Sequence, residues 1–278
     1  MNPSKKTLLP VLALFCLCLA FAGAAKRLFA PKDLRPFFQV EVSADSPENV
    51  VLFLDSFALP SKPGNPKSGH FIFFDNIAAF SAEPQKNART VLNRIPREAN
   101  DRFKEKSLIT LFADAGYETV YLNAEYAGET SKEALTQIKG PVVTLLNEVV
   151  SRPGRKFIIT EPRRRGELSD ITTILEKSPK SSILLAAGLK GLAKQDCPSE
   201  FLTYIAFYAN ETYSAQPENL GKLSNISDFG GTPLTLQYIF DTAASLGGLH
   251  YATADGLKDL TRLSPKAVAG KSASFCKI

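Results

Sequence analysis

The chain has 278 residues, 44% of them hydrophobic and 22% charged, enough for one α/β domain, or two small ones, with a real core. That composition excludes a disulfide-stapled mini-protein, a collagen-like repeat and a wholly disordered chain, and a single long apolar run excludes a polytopic membrane protein. The net charge of +5, from 33 Lys and Arg against 28 Asp and Glu, is spread along the chain, so no nucleic-acid partner is expected.

Lys5 and Lys6 precede an unbroken small or apolar run from Thr7 to Ala25, and Lys26 and Arg27 follow it. Read as a signal peptide, residues 1–25 have a basic start and an apolar middle. Small-residue cleavage patterns stand at Ala20-Phe21-Ala22 and Ala22-Gly23-Ala24. Read as a signal anchor, the run is about 18 residues, near the short end for a spanning helix. The Lys pair would then stay cytoplasmic. Either way, residues beyond about 26 are expected on the periplasmic or extracellular side, with the membrane as a partner through the N-terminal segment. A buried helix of the fold is the remaining alternative. Cys197 and Cys276 lie in the exported part; they permit one disulfide or two free thiols.

Residues 26–48, rich in Pro and charge, read as a linker or edge strand, and residues 49–278 as the folded domain. Val50 to Leu54 is a continuous apolar run ending in Asp55-Ser56, as expected of a strand buried on both faces. Residues 60–70 read as a Pro- and Gly-rich loop, and Phe71 to Phe74 as a second strand. Ser81 to Asn87 is polar and turn-like, and Ala88 to Ile95 reads as a helix stopped by Pro96. Lys106 to Ala115 has helical spacing, with Gly116 as its C-cap. Thr119–Leu122 (strand), Ser131–Ile138 and Val142–Val150 (helices), Phe157–Thr160 (strand), Leu168–Leu175 (helix) and Ile183–Ala187 (strand) follow. Residues 188–216 look irregular; their aromatics Phe201, Tyr204, Phe207, Tyr208 and Tyr213 either line a cleft or, as we favour, pack beneath that segment. Pro217–Leu223 and Leu234–Leu246 look helical. Strand runs alternating with helices predict a largely parallel sheet sandwiched between helices. Active sites of such sheets gather at the carboxyl ends of strands, where Asp55 stands.

Three stretches carry a resemblance. They are V-V-L-F-L-D-S (50–56), S-L-I-T-L-F-A-D-A-G-Y-E-T-V-Y-L-N-A (107–124), and the segment from Cys197 to Phe229 with P-E-N-L-G-K-L-S-N-I-S-D-F at its end. Together, in this order, they resemble the alkaline phosphatase/sulfatase superfamily and, more narrowly, its phosphoethanolamine transferase branch, over roughly residues 48–260. In the third stretch Asn225 and Asp228 match the family's helix-opening pattern, while Ser227 and Phe229 depart from it. The resemblance implies an alkaline phosphatase/sulfatase-like α/β sandwich, C-terminally shortened here. It implies zinc or another divalent metal beside a threonine nucleophile, and phosphoryl-group transfer to a cell-envelope lipid or glycan.

Carried over residue by residue, Asp55 takes the strand-end metal carboxylate position, with Asp for the family's usual Glu; a turn or N-cap Asp is the plain alternative. The family's T-A-x-S nucleophile pattern falls on Asn87-Ala88-Arg89-Thr90. Asn87, which has no hydroxyl, stands where the Thr should be, and Thr90 is the nearest hydroxyl. The S-D-H-G-E metal motif has its nearest match at Ala254-Asp255-Gly256. Asp255 is thus a candidate ligand or a plain turn Asp, and no His follows it; Ser227-Asp228-Phe229-Gly230 is a rival register. The only histidines, His70 and His250, read as surface or packing residues, too few for a His-rich metal site. These departures predict either an exported transferase-like enzyme or a non-catalytic relative that binds a glycan, lipid head group or protein. Arg163-Arg164-Arg165 is a basic cluster suited to anionic head groups or to a solvated loop. Asn210-Glu211-Thr212 and Asn225-Ile226-Ser227 are glycosylation sequons.

Overall fold

Every residue of Asn49–Asp55, Lys156–Thr160 and Ser182–Gly188 is buried. Short apolar runs without alternation become strands covered on both faces. The computed structural model describes residues 40–57, 67–93, 106–123, 136–194, 197–251 and 258–269, all within the unit Val40–Ile278.

In chain order the elements are β1 (Glu41–Val42), β2 (Asn49–Asp55), β3 (His70–Ala79), α1 (Pro84–Asn93), α2 (Leu108–Asp114), β4 (Glu118–Leu122), β5 (Thr136–Ile138), α3 (Val142–Ser151), β6 (Lys156–Thr160), α4 (Glu167–Lys177), β7 (Ser182–Gly188), β8 (Leu192–Lys194), β9 (Cys197–Ala209), α5 (Glu211–Ser214), α6 (Pro217–Ser227), β10 (Leu234–Thr235), α7 (Tyr238–Leu246), β11 (Leu249–His250) and α8 (Pro265–Ala269). The main sheet runs β10-β3-β9-β7-β2-β6-β4-β5, with β8 paired to β9. Strands β7, β2, β6, β4 and β5 are mutually parallel. Only β9 opposes its neighbours β7, β3 and β8. This is the predicted mostly parallel α/β sheet between helical layers.

Alternate residues of each strand feed two cores. Val50, Leu52 and Leu54 pack with α1, α2 and α7; Val51 and Phe53 pack with α3 and α4. The sequence 107–122 folds as expected. Ser107 caps α2 by accepting the Thr110 N–H at 3.1 Å. Gly116, at φ 81°, takes the left-handed position that ends the helix.

Four expectations are corrected. Helix α1 begins at Pro84 rather than Ala88; proline's missing N–H costs nothing in a first turn. Residues 188–216 are not irregular: they hold β8, the long β9 and α5. Phe201 to Ala209 is a run of apolar and aromatic residues broken only by Thr203, which supplies the strand signal; its aromatics Tyr204, Phe207 and Tyr208 are buried, as is Tyr213 beyond it. Thr136–Ile138 is a strand against β4, where a helix was expected to end. Leu234–Thr235 pairs with β3, so the following helix starts only at Tyr238. Within 26–48, Glu41–Val42 pairs with β11, and Ser46 is buried. The apolar segment 7–25, Asp255 and Cys276 lie outside the described residues. Among the described residues no helix is long and apolar enough to cross a membrane.

Candidate functional site at the carboxyl edge

Asp55 ends β2 at the carboxyl edge and is 6% exposed. Its Oδ1 accepts the Phe57 N–H at 2.9 Å. Its Oδ2 accepts the Tyr204 hydroxyl at 2.6 Å, a length typical of a phenol bonded to a carboxylate. Burial pushes the Asp55 carboxyl above its ordinary range, against the pull of Tyr204, Phe57 and the nearby Arg165. Burial and the Asp55 charge together raise Tyr204 well above the ordinary phenol range.

Tyr204 reaches Asp55 across an intervening strand. Asp55 pairs with Gly188 of β7, and Ala187 pairs with Ile205 of β9, so Asp55, Gly188 and Tyr204 form one row across three strands. A Cβ on Gly188 would stand 2.6 Å from a Tyr204 ring carbon and 2.3 Å from Thr203 Oγ1. Glycine is therefore what lets the ring lie over β7. Phe73 stacks on the ring from the other side, with centroids 5.6 Å apart.

Asn87 and Thr90 both lie inside α1 and are buried. Asn87 Nδ2 donates to Ser81 O at 2.7 Å and to Leu189 O at 2.6 Å. Its Oδ1 accepts the Phe80 N–H at 3.1 Å. Thus Asn87 staples the chain after β3 and after β7 onto the helix. The Thr90 hydroxyl donates back to Lys86 O at 3.3 Å, an ordinary helix contact. The structure brings Asp55 and Asn87 to one residue, since the Leu189 N–H donates to Asp55 O at 2.6 Å. It does not bring their side chains together. Tyr204, the partner of Asp55, packs in the α3–α4 layer, while α1 packs on the opposite face.

Three features of this edge were missed by sequence reasoning. Tyr204 was read as lining a cleft or packing, with packing favoured, and its bond to Asp55 and the places of Gly188 and Thr160 were not seen. Thr160 ends β6 beside Phe53, and its buried Oγ1 has no hydrogen-bond partner. No local pattern links residues 55, 160, 188 and 204; only sheet order does.

Around the edge, Arg163 donates to Asn123 Oδ1 at 2.9 Å. Asn123 follows β4 at φ 56°. Arg164 is tied to Asp170 and Glu167. Arg165 and Lys190 are exposed. Of the two histidines, His70 is exposed, and His250 Nδ1 lies 3.0 Å from the Arg262 guanidinium. Asn210 is buried, with Nδ2 donating to the carbonyls of Leu175, Ser178 and Lys180, so this sequon is closed in the folded chain. Asn225 Nδ2 donates to Leu260 O at 2.6 Å and Leu263 O at 2.9 Å. Asp255 is outside the described residues, but both flanks of its segment are held. The Tyr251 hydroxyl and the Lys258 N–H both donate to the Asp241 carboxylate on α7.

The resemblance noted in the sequence implies a divalent metal, and the described residues do not fit one. Among them no three His, Cys, Asp or Glu side chains cluster as a metal site would require. Both oxygens of Asp55 already accept protein donors. The Tyr204 hydroxyl that sits on Oδ2 is a poor ligand for zinc.

No protein-family model matches the chain, and no curated protein matches it in sequence. Solved structures do match. The C-terminal periplasmic domain of phosphoethanolamine transferase EptC from Campylobacter jejuni superposes with a TM-score of 0.57 at 12% identity, over 80% of this chain and 95% of that one. The soluble domain of lipooligosaccharide phosphoethanolamine transferase A from Neisseria meningitidis gives 0.54 at 8% identity, over 84% and 96%. The 2-O GAG sulfatase BT1596 gives 0.52 at 10% identity, over 82% and 75%. The mostly parallel sheet and these superpositions agree: the chain has the alkaline phosphatase/sulfatase fold, in the form found in phosphoethanolamine transferase periplasmic domains.

Proposed function

We propose that this chain is an exported cell-envelope protein that uses the transferase fold to bind an anionic lipid head group or glycan, without transferring a phosphoryl group. The observation that carries this reading is the state of α1. The two positions matching the nucleophile pattern are buried there, Asn87 holding three backbone groups and Thr90 bonded to its own helix. A hydroxyl buried in this way and bonded to its own helix is not presented to a substrate. Support for an anionic ligand comes from Arg165 and Lys190, exposed beyond the ends of β6 and β7 at the edge where such sheets bind ligands. Export through residues 1–25 belongs to the same proposal, with a linker role for the part of 26–48 that precedes Val40.

The test pairs two measurements on the purified chain. Turnover of a phosphodiester is assayed with and without added zinc, and co-sedimentation is assayed with vesicles of anionic or neutral lipid. The expected result is no turnover, together with binding to the anionic vesicles that weakens in salt and in Arg165→Ala/Lys190→Ala. Turnover that disappears in Thr90→Ala would overturn the reading. Equal binding to neutral and anionic vesicles would remove the anionic ligand from it.

A further inference from the structure

We infer that the Tyr204 hydroxyl occupies the cation's place beside the strand-end carboxylate, so that a hydrogen-bonded Asp55–Tyr204 pair, laid across Gly188, replaces the metal seat of this fold. The inference does not depend on which ligand the chain binds.

The geometry argues it in steps. A buried carboxylate needs compensation from donors, a countercharge or a cation. Asp55 receives two donors, the phenol of Tyr204 at 2.6 Å and the Phe57 N–H at 2.9 Å, one on each oxygen. The phenol comes from two strands away, which requires a residue without a side chain in the row between. Gly188 is that residue, and a Cβ there would fall 2.6 Å from the Tyr204 ring. The ring cannot swing aside freely, because Phe73 stacks on it at 5.6 Å and Tyr204 itself is fully buried. The chain thus devotes a glycine, a stacked aromatic and a buried phenol to one carboxylate. A divalent ion on Oδ2 would need the phenol removed, and would find no second acidic, imidazole or thiolate ligand among the described residues.

Elemental analysis of the full chain, incubated with zinc and desalted, tests this without any variant. The expected result is no stoichiometric zinc. One zinc per chain that is lost in Asp55→Asn would overturn the inference. A double-mutant cycle with Tyr204→Phe and Asp55→Asn, read by urea unfolding without metal, tests the pair itself. Tyr204→Phe keeps the ring and its stacking. The expected coupling is about tenfold or more in the folding equilibrium constant. Additive effects of the two changes would overturn the pairing. Should Asp55→Asn fail to fold, the ultraviolet absorbance of the tyrosines gives the same answer from Tyr204→Phe alone. A paired, buried phenol resists ionisation in the alkaline range where exposed phenols titrate, so wild type minus variant should show no phenol ionising near the ordinary value; one that did would overturn the pairing.

Discussion

The two edges of the parallel sheet are built differently. At the amino edge polar groups are spent on backbone. Lys156 is 1% exposed; its ammonium donates to Pro153 O and Gly154 O and pairs with Glu118 at 3.1 Å. Lys180 donates to Ser151 O and Arg152 O. Asn210 engages three carbonyls, and its Oδ1 accepts the Ser182 and Tyr213 N–H groups. At the carboxyl edge one buried carboxylate is matched by a phenol, and Arg165 and Lys190 stand exposed, with no ion pair among the described residues. The difference separates charge used to close the fold from charge left facing solvent, which the proposed function assigns to a ligand.

The largest test of this contrast is Asn210→Ala. It leaves several buried carbonyls and N–H groups without a partner, and should cost about 3 kcal/mol in urea unfolding. Gly188→Ala at the other edge should cost about 2 kcal/mol, through overpacking against Tyr204 and Thr203. A cost near zero would mean that the row across β7 is slack. A pH series adds a third arm. Asp259 is 1% exposed, and burial raises its carboxyl despite donors from Thr261 and Ser245 and the nearby Arg262. With the folded value above the unfolded one, its favourable contribution is complete below the unfolded value and is lost as pH rises through the folded one. Stability should therefore increase from neutral into mildly acidic solution, and Asp259→Asn should flatten that slope. Smallest of all, Arg165→Ala and Lys190→Ala should move stability by no more than about 0.5 kcal/mol, while weakening vesicle binding. A larger loss of stability would place both among the groups that close the fold.

Much of the sheet was legible because β2, β6 and β7 are continuous apolar runs, and a strand buried on both faces has no other sequence form. The α2–β4 unit was legible through its helical spacing and Gly116, while the Ser107 cap was not read. Strand β9 was not, because Cys197-Pro198-Ser199-Glu200 opens it with polar and turn-forming residues. The start of α1 was misplaced because Ser81 to Gln85 reads as a turn, although Pro84 suits a first helical position. At the candidate site, the position of Asp55 followed from its strand. Its partner did not, since residues 55, 188 and 204 meet only through the strand order β2-β7-β9. The role of Asn87 is set by the Ser81 carbonyl just before its helix and by the distant Leu189 carbonyl after β7.

Asp241 serves two points of the chain at once. Its carboxylate on α7 accepts the Tyr251 hydroxyl on one oxygen and the Lys258 N–H on the other, so one side chain anchors both positions to the helical layer. Asp241→Ala removes both acceptors together and should cost about 2 kcal/mol in urea unfolding, more than the loss of either donor alone.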